Sequence, residues 1–391
     1  MSAPAADPEA MSDTIATTVP PPARVRRLTV RDFRTVADES FDVPPAGLAF
    51  VGDNGHGKTN LLESVYYLHL FRSLRGARDV ELVRFGAAAF HVSAHAEGTR
   101  WSRISAGFER ESGRRRIVLD GVACDRISDA LGALPSVTFA PADVAIVAGG
   151  PAARRRWLDV TLASTSPRYL AALREYRAAL AQRNAALRAR SRASPAGIWD
   201  SALAAHGARL TLARASFLTW AAPRAADHST ALGERGTLEL RYRAGEALPA
   251  DATEEQVRDG IVAALTAGRD RDMERGVTHH GPHRDDIDVR LDGVSLRRFG
   301  SAGQQRTAAI SLRLMECAWY RERGGSEPLL LLDDPVAELD RGRAGRVLEL
   351  LTAQTAGQVL LAVPREDDIP SALTSLARRR VRDGHVEPYD A

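Results

Sequence analysis

The pattern of apolar and polar positions divides the chain into alternating strand and helix segments. A short apolar run at residues 48–51 leads into a glycine-rich stretch, and residues 61–68 then show the three- and four-residue spacing of a helix. Strand, glycine loop and helix therefore follow in that order. Between residues 90 and 122, short strand-like segments alternate with turns, which predicts a β-meander.

From about residue 154 to residue 220 the pattern turns helical. A narrow apolar seam recurs at three-, four- and seven-residue steps. The seam comprises Tyr169, Leu173, Tyr176, Leu180 and Leu187. It predicts the packed core of a helical hairpin in preference to a partner surface. A second strand-and-helix stretch follows at residues 238–265.

Composition sets the broad class of protein. The chain has 391 residues, of which 44% are hydrophobic, enough for a large core in two or three structural units. No apolar run approaches the roughly 20 residues that a membrane-spanning helix needs. The two cysteines offer no disulfide framework, so we expect a reducing, cytoplasmic environment.

Charge is distributed unevenly along the chain. The net charge is only +3, but residues 151–220 contain 12 arginines against three acidic residues. A basic segment on an otherwise acidic chain suits a surface that binds a polyanion, although a solvated helical face would look the same. Of the 53 basic side chains, all but Lys58 are arginine, so position 58 requires a compact ammonium group.

The eight residues that directly follow the first apolar run match the phosphate-binding pattern G-x-x-x-x-G-K-[ST]. They are Gly52, Asp53, Asn54, Gly55, His56, Gly57, Lys58 and Thr59. In such a loop, glycines let backbone N–H groups point at phosphate oxygens, and the following helix adds its positive N-terminal end. We expect Lys58 to reach the β- and γ-phosphates and Thr59 to offer its hydroxyl to Mg²⁺. The loop therefore predicts binding of MgATP.

Two further motifs belong to the same chemistry. An apolar run at residues 328–332 ends in Asp333 and Asp334, the Walker B pattern; Asp333 is expected to hold Mg²⁺ and Asp334 to orient or deprotonate the attacking water. Some 30 residues earlier, Ser301, Gly303 and Gln304 form an S-x-G-Q sequence ahead of a helix. That signature is typical of ATP-binding-cassette and SMC-type ATPases, in which it covers the γ-phosphate bound by the opposite protomer.

From residue 25 onward the sequence resembles the bacterial RecF family of recombination and replication proteins. The resemblance rests on the phosphate-binding loop and on segments 71–75, 139–143, 154–159, 182–184, 278–286 and 303–307. It implies an α/β fold: a P-loop ABC/SMC-like ATPase head with an inserted helical second lobe. It also implies DNA binding with a preference for single strands or gaps, dimerisation around ATP, and action with RecR and RecO in recombinase loading and the SOS response.

The predicted organisation has four parts. They are a disordered tail at residues 1–24, an ATPase lobe at 25–140, an arginine-rich helical lobe at 141–275 and the rest of the ATPase lobe at 276–391. Arginines in two of these parts are candidate DNA phosphate contacts. They are Arg72, Arg75, Arg154, Arg155 and Arg156.

Some features depart from the family pattern or allow another interpretation. The D-loop segment 338–340 follows Ala337, where the family usually has serine, and this departure leaves the rate of hydrolysis open. A histidine- and aspartate-rich segment could be a metal site, although a structural or nucleotide-proximal loop is favoured. That segment contains His279, His280, His283, Asp285 and Asp286.

The sequence predicts a slow ATPase that acts as a DNA-binding switch. Two other classes of protein remain alternatives: a P-loop kinase acting on a small molecule, and the nucleotide-binding subunit of a transporter. The signature sequence and the acidic pair argue against the kinase. Nucleotide-binding subunits of transporters have a switch histidine shortly after the Walker B strand, and this sequence has none at that spacing. That difference and the arginine-rich lobe argue against the transporter.

Overall fold

The computed structural model describes residues 21–189, 196–245, 249, 251–335, 341–354 and 357–389. Most of the predicted N-terminal tail (1–20) and the predicted D-loop (337–340) lie outside the described residues. None of the described helices combines the length and the apolar character needed to cross a lipid bilayer.

The described strands and helices follow in chain order. The strands are β1 (Arg24–Phe33), β2 (Val36–Asp42), β3 (Gly47–Val51), β4 (Ala89–Glu97), β5 (Arg103–Glu109), β6 (Arg115–Leu119), β7 (Val122–Cys124), β8 (Ser136–Phe139), β9 (Leu238–Arg243), β10 (Asp286–Leu291), β11 (Val294–Ser295), β12 (Leu329–Asp333), β13 (Val359–Val363), β14 (Ala377–Arg382) and β15 (His385–Pro388). The helices are α1 (Lys58–Leu70), α2 (Asp79–Leu82), α3 (Ile127–Ala130), α4 (Val144–Ala148), α5 (Pro151–Thr165), α6 (Pro167–Ala189), α7 (Asp200–Ala231), α8 (Glu254–Ala267), α9 (Arg269–Arg275), α10 (Leu296–Phe299), α11 (Ala302–Trp319) and α12 (Arg341–Gln354).

A central sheet orders its strands β15-β14-β3-β13-β12-β8. Its strands are parallel except for β15, which pairs antiparallel with β14. Both β3 and β12 are covered on two faces, which explains why their sequences are continuous apolar runs and do not alternate. Since parallel strands end at one edge, the loop after Val51 and the carboxylate of Asp333 emerge at the same edge of the sheet, on either side of β13.

A second sheet covers one face of this core. Its order is β2-β1-β4-β5-β6-β7, and all its neighbouring strands are antiparallel. The strands from β4 to β7 are sequential neighbours, as the meander pattern predicts. Helix α1 is enclosed between the two sheets, because Leu61 and Tyr67 share one core with Phe50 of β3 and Val92 of β4.

The helical lobe is built on α5 to α9. The apolar seam of α6 faces inward, with Tyr169, Leu173, Tyr176 and Leu187 buried. A three-stranded sheet, β11-β10-β9, completes this lobe and shares its core. The pairing of β9 with β10 and of β10 with β11 thus joins residues 286–295, which lie beyond the boundary predicted at residue 276, to the sheet of this lobe.

Helix α11 joins the lobe to the central sheet. Ala308, Leu312 and Met315 pack into the core of the helical lobe, whereas Ile310 and Leu314 pack against the central sheet. The residues at the start of α11 are therefore fixed relative to both parts of the molecule.

Candidate functional site

The phosphate-binding loop connects β3 to α1 at the edge of the central sheet. The backbone of Gly55 and Gly57 is left-handed, with φ of 88° and 106°, a conformation that favours glycine. Gly52 is required for a different reason: a Cβ there would lie 2.2 Å from the carbonyl oxygen of Val381. The glycines of the motif thus allow both the turn and its close packing on β14.

Lys58 lies inside the loop, with only 7% of the residue exposed. Its Nζ donates hydrogen bonds to the carbonyl oxygens of Gly52 at 2.5 Å and Asp53 at 2.9 Å. Burial lowers the pKa of the ammonium group, and the nearby carboxylates of Asp333, Asp53 and Asp334 oppose that shift. A compact cation surrounded by loop backbone is suited to a phosphate oxygen.

Thr59 and Asp333 meet although 274 residues separate them in sequence. The Thr59 hydroxyl donates to Oδ1 of Asp333 at 2.9 Å. Burial raises the pKa of Asp333, while the Thr59 hydrogen bond and the charges of Arg75 and Lys58 act in the opposite direction. A hydroxyl and a carboxylate at one point are the oxygen ligands that Mg²⁺ prefers, so these residues fit a magnesium-bound nucleotide.

Asp334 has a left-handed backbone, with φ of 48°. Its N–H donates to the carbonyl oxygen of Ala362 at 3.0 Å, which anchors the residue to the end of β13. Aspartate tolerates this conformation better than most non-glycine residues. The left-handed residue turns the chain directly after Asp333, at the sheet edge where the loop begins.

The C-terminal hairpin supports the loop, a contact that no motif in the sequence indicated. The N–H of Asp383 donates to Nδ1 of His56 at 3.0 Å, and the N–H of Gly384 donates to the His56 carbonyl at 2.9 Å. A Cβ on Gly57 would lie 2.8 Å from Oγ1 of Thr35. His56 therefore positions the phosphate-binding loop on the C-terminal hairpin. A contact between residues so far apart in the chain cannot be inferred from local sequence.

The signature residues lie at the start of α11. Ser301 caps the helix: its hydroxyl accepts from the N–H of Gln304 at 3.2 Å, and the Gln304 side chain accepts from the N–H of Ser301 at 3.0 Å. Ser301 is exposed, and the neighbouring Phe299 is 74% exposed. Within the described part of the chain, no hydrogen bond or ion pair joins residues 301–304 to residues 52–59.

The candidate DNA-contacting arginines separate into different environments. Arg72, Arg155 and Arg156 line a single cleft of about 1100 Å³ between the meander sheet and the helical lobe. Arg75 lies towards the nucleotide site, where its charge opposes the rise in the pKa of Asp333 that burial causes. Two stretches far apart in sequence thus contribute to one basic cleft.

Arg154 does not belong to that surface, although the sequence placed it among the candidate DNA phosphate contacts. It is 3% exposed and forms a two-point ion pair with Asp286 at 2.6 and 2.9 Å. Its remaining nitrogen donates to the carbonyl oxygen of Gly149 at 2.9 Å. With its donors satisfied inside the protein, Arg154 fastens α5 to the start of β10.

The segment at residues 278–286 forms a structural network. Arg183, which is fully buried, donates to Asp200 at 2.8 Å, to Asp272 at 2.6 Å and to Thr278 at 2.9 Å. His279 lies 2.7 Å from the other oxygen of Asp272. These contacts join α6, α7 and α9. These contacts support a structural role for the segment. Among the described residues, no group of three or more His, Cys, Asp or Glu side chains is arranged to hold a metal ion.

Comparison with known proteins places this geometry in a family. The sequence matches the RecF/RecN/SMC N-terminal domain over residues 24–385. The DNA replication and repair protein RecF of Salinibacter ruber is 36% identical over 358 residues, which are 89% of this chain and 86% of that protein. RecF of a Synechococcus strain is 37% identical over 377 residues, covering 94% of this chain and 98% of that protein.

Solved structures agree with the sequence relatives. The recombination mediator protein RecF in complex with ATP superimposes with a TM-score of 0.86 at 27% identity, over 94% of this chain and 98% of that one. An Smc head domain from Pyrococcus furiosus, 15% identical with a TM-score of 0.56, supports the fold alone. The predicted fold class, an SMC-like ATPase head with a helical second lobe, is confirmed. The chain belongs to the RecF/RecN/SMC family and, within it, to the RecF DNA replication and repair proteins.

Proposed function

We propose that the chain is a slow ATPase in which nucleotide binding closes a homodimer on DNA and hydrolysis reopens it. The observation that carries this proposal is the separation of the two nucleotide motifs. Lys58, Thr59 and Asp333 converge in one chain, whereas the exposed Ser301 and the half-buried Gln304 at the start of α11 have no described polar contact to them. One molecule therefore offers two complementary halves of a site.

Each residue then has a definable task. Lys58 and the loop backbone hold the phosphates, and Thr59 with Asp333 holds Mg²⁺. Asp334 orients the attacking water, a role supported by its position directly after β12 and beside Asp333. The N-terminal end of α11 in a second copy faces the terminal phosphate. MgATP supplies the negative charge that draws the two surfaces together.

The DNA is held mainly through arginine–phosphate contacts. Arg72, Arg155 and Arg156 share the cleft described above, and Arg75 lies closer to the nucleotide. Binding of this kind weakens as salt concentration rises, because counterions are released from the DNA. A RecF protein bound to an ATP analogue has been described in the RecFOR pathway. We extend that role to this chain, with RecR and RecO as partners in recombinase loading at gaps and in SOS induction.

Gel filtration with and without ATP, in the presence of gapped DNA, tests the proposal. We expect a monomer without nucleotide, a dimer with ATP, and DNA in the dimer peak at low salt. Ser301→Asp should abolish the dimer, because aspartate caps α11 as serine does but repels the phosphate. Ser301→Asn keeps the cap without the charge and is the matched control. A monomer under all conditions, or an aspartate variant that still dimerises, would contradict the proposal.

A further inference from the structure

The basic cleft has an interior as well as a charged rim. One wall is formed by the meander sheet and α3, and the other by α5 and α6. Its apolar lining includes Leu131, Val160, Leu170, Leu173 and Leu180. All except Leu173 are only partly buried, so an apolar strip remains open to solvent between the two lobes.

Some arginines of the cleft are neutralised within the protein. Arg115 is paired with Asp79, and Arg177 lies 2.8 Å from Asp159. A paired arginine has less charge to offer a ligand. These two ion pairs stabilise the walls of the cleft. The positive charge available to a ligand comes from other arginines.

Three other arginines of the cleft lack such partners. Across the described ranges, no carboxylate lies within ion-pair distance of Arg72, Arg155 or Arg156. Arg156 instead donates to the carbonyl oxygen of Ser73 at 3.2 Å, and Arg155 to that of Asp285 at 2.7 Å. Burial and the neighbouring charges of Arg177, Arg115 and Arg156 lower the pKa of Arg72. Guanidinium groups crowded in this way favour an anionic ligand.

An apolar strip beside unpaired arginines matches one form of nucleic acid better than another. A duplex presents phosphates outside and stacks its bases inside, so it has no free base to place on the strip. An unpaired strand exposes its bases and can place them on an apolar surface while its phosphates meet arginine.

We propose that the cleft is the site for an unpaired DNA strand, with phosphates on Arg72, Arg155 and Arg156 and bases against the strip at Leu170 and Leu180. This inference rests on the proposed DNA-binding function and specifies which part of a gapped DNA enters the protein. On this assignment, the duplex portion contacts the protein outside the cleft.

Fluorescence anisotropy with two probes, a dT20 strand and a blunt 20-base-pair duplex, tests the assignment. The double variant Arg72→Ala/Arg156→Ala should bind dT20 about tenfold more weakly and should reduce the salt slope for dT20 by about 1.4, roughly 0.7 per lost contact. Duplex binding should change by less than about twofold. Arg168→Ala removes an exposed arginine of α6 outside the cleft, so it should change neither.

The apolar strip is tested separately. Leu180→Gln should weaken binding of dT20 by about threefold to tenfold, whereas the similarly sized Leu180→Met should retain it. An abasic strand, which has phosphates but no bases, should not distinguish Leu180→Gln from the original protein. Circular dichroism confirms that each variant is folded.

The outcomes distinguish failure of the proposed DNA-binding function from failure of the cleft assignment. If the unaltered protein binds neither probe, the DNA-binding function itself fails. If it binds both and the double variant loses both equally, the cleft does not select an unpaired strand. Unchanged dT20 binding by the cleft variants would also overturn the inference, and would leave the cleft to a protein partner.

Discussion

Individual residues carry the nucleotide chemistry, and the most specific of them is Lys58. The chain contains 52 arginines, and none takes this position. The loop leaves room for a tetrahedral ammonium between the carbonyl oxygens of Gly52 and Asp53. A planar guanidinium carries the same charge but has a different shape and hydrogen-bonding geometry.

Lys58→Arg should therefore bind ATP at least about tenfold more weakly in spite of its equal charge. Titration calorimetry with MgATP measures the effect, and Lys58→Met shows how much is lost when the charge is removed as well. Unaltered affinity in the arginine variant would show that charge alone is sufficient at this position.

Arg154→Ala should reduce stability without a specific effect on DNA binding. Its loss leaves the Asp286 carboxylate without its guanidinium partner, and we expect a cost of about 3 kcal/mol in the free energy of unfolding. Arg156→Ala, at an exposed position two residues on, should cost less than about 0.5 kcal/mol. Urea denaturation of the two variants makes the comparison; equal stability would refute the structural role of Arg154.

These neighbouring arginines show what cannot be predicted for single residues from the sequence, namely which member of an arginine run is buried. Successive helical residues point about 100° apart, so a run of three arginines must face three directions. Arg154 faces the core, Arg155 is half-buried and Arg156 is exposed. Their order on α5 was readable from the sequence, but the partner that selects the buried one, Asp286, is 132 residues away.

At the scale of elements, the P-loop helix and the signature helix meet at their C-terminal ends. His69 of α1 is fully buried, and its Nε2 lies 2.9 Å from the hydroxyl of Tyr320, directly after α11. Burial lowers the pKa of His69 from its usual 6.5 to about 3. The two helices that begin at the P-loop and at the signature sequence are thus joined through a histidine that stays neutral.

Acidification should weaken this junction. Between pH 6.5 and about 3 the unfolded chain binds a proton on His69 that the folded chain excludes. Above pH 6.5 the histidine is neutral in both states and costs no stability. As the pH falls from 6.5 towards 3, His69 lowers the free energy of unfolding by up to ~1.4 kcal/mol per pH unit.

Replacing His69 by glutamine, which does not titrate, should make the decline in stability with acid less steep. Tyr320→Phe should retain the steep decline, because burial and not the hydrogen bond causes the shift. Urea titrations at several pH values measure all three proteins. The same pH dependence with and without His69 would contradict the prediction.

The elements themselves were largely predictable. The phosphate-binding loop, the acidic pair and the signature each have a short local pattern, and β3, α1, β12 and α11 occur where those patterns indicate. The support of the loop by Asp383 and Gly384 was not predictable, since it arises from strand pairing at the far end of the chain. The pairing of β9 with β10 was not predictable for a similar reason, because the partner strand lies beyond the predicted boundary at residue 276.

At the scale of the whole molecule, two lobes share one helix, and the nucleotide motifs are distributed between them. Residues at the edge of the central sheet provide the P-loop half, and the start of α11 provides the signature half. A molecule built in this way is expected to respond to nucleotide through its assembly, because neither half is complete alone.

The two carboxylates at the end of β12 should therefore affect assembly in opposite ways. Asp334→Asn should bind MgATP, hydrolyse it poorly and remain dimeric long after ATP is added, because the residue that activates water is lost. Asp333→Asn should fail to form the dimer, because a ligand of Mg²⁺ is lost. Light scattering after addition of ATP follows both. Dimers that dissociate at the original rate in Asp334→Asn would refute its assigned role.

The single lysine has a consequence for chemistry directed at amines. Reagents and enzymes that acylate lysine find one side-chain target in the described fold, and it lies inside the phosphate-binding loop with 7% of its surface exposed. Removing its charge by acylation would disable the nucleotide site directly. A bound nucleotide should shield it, so the rate of amine labelling becomes a direct measure of occupancy.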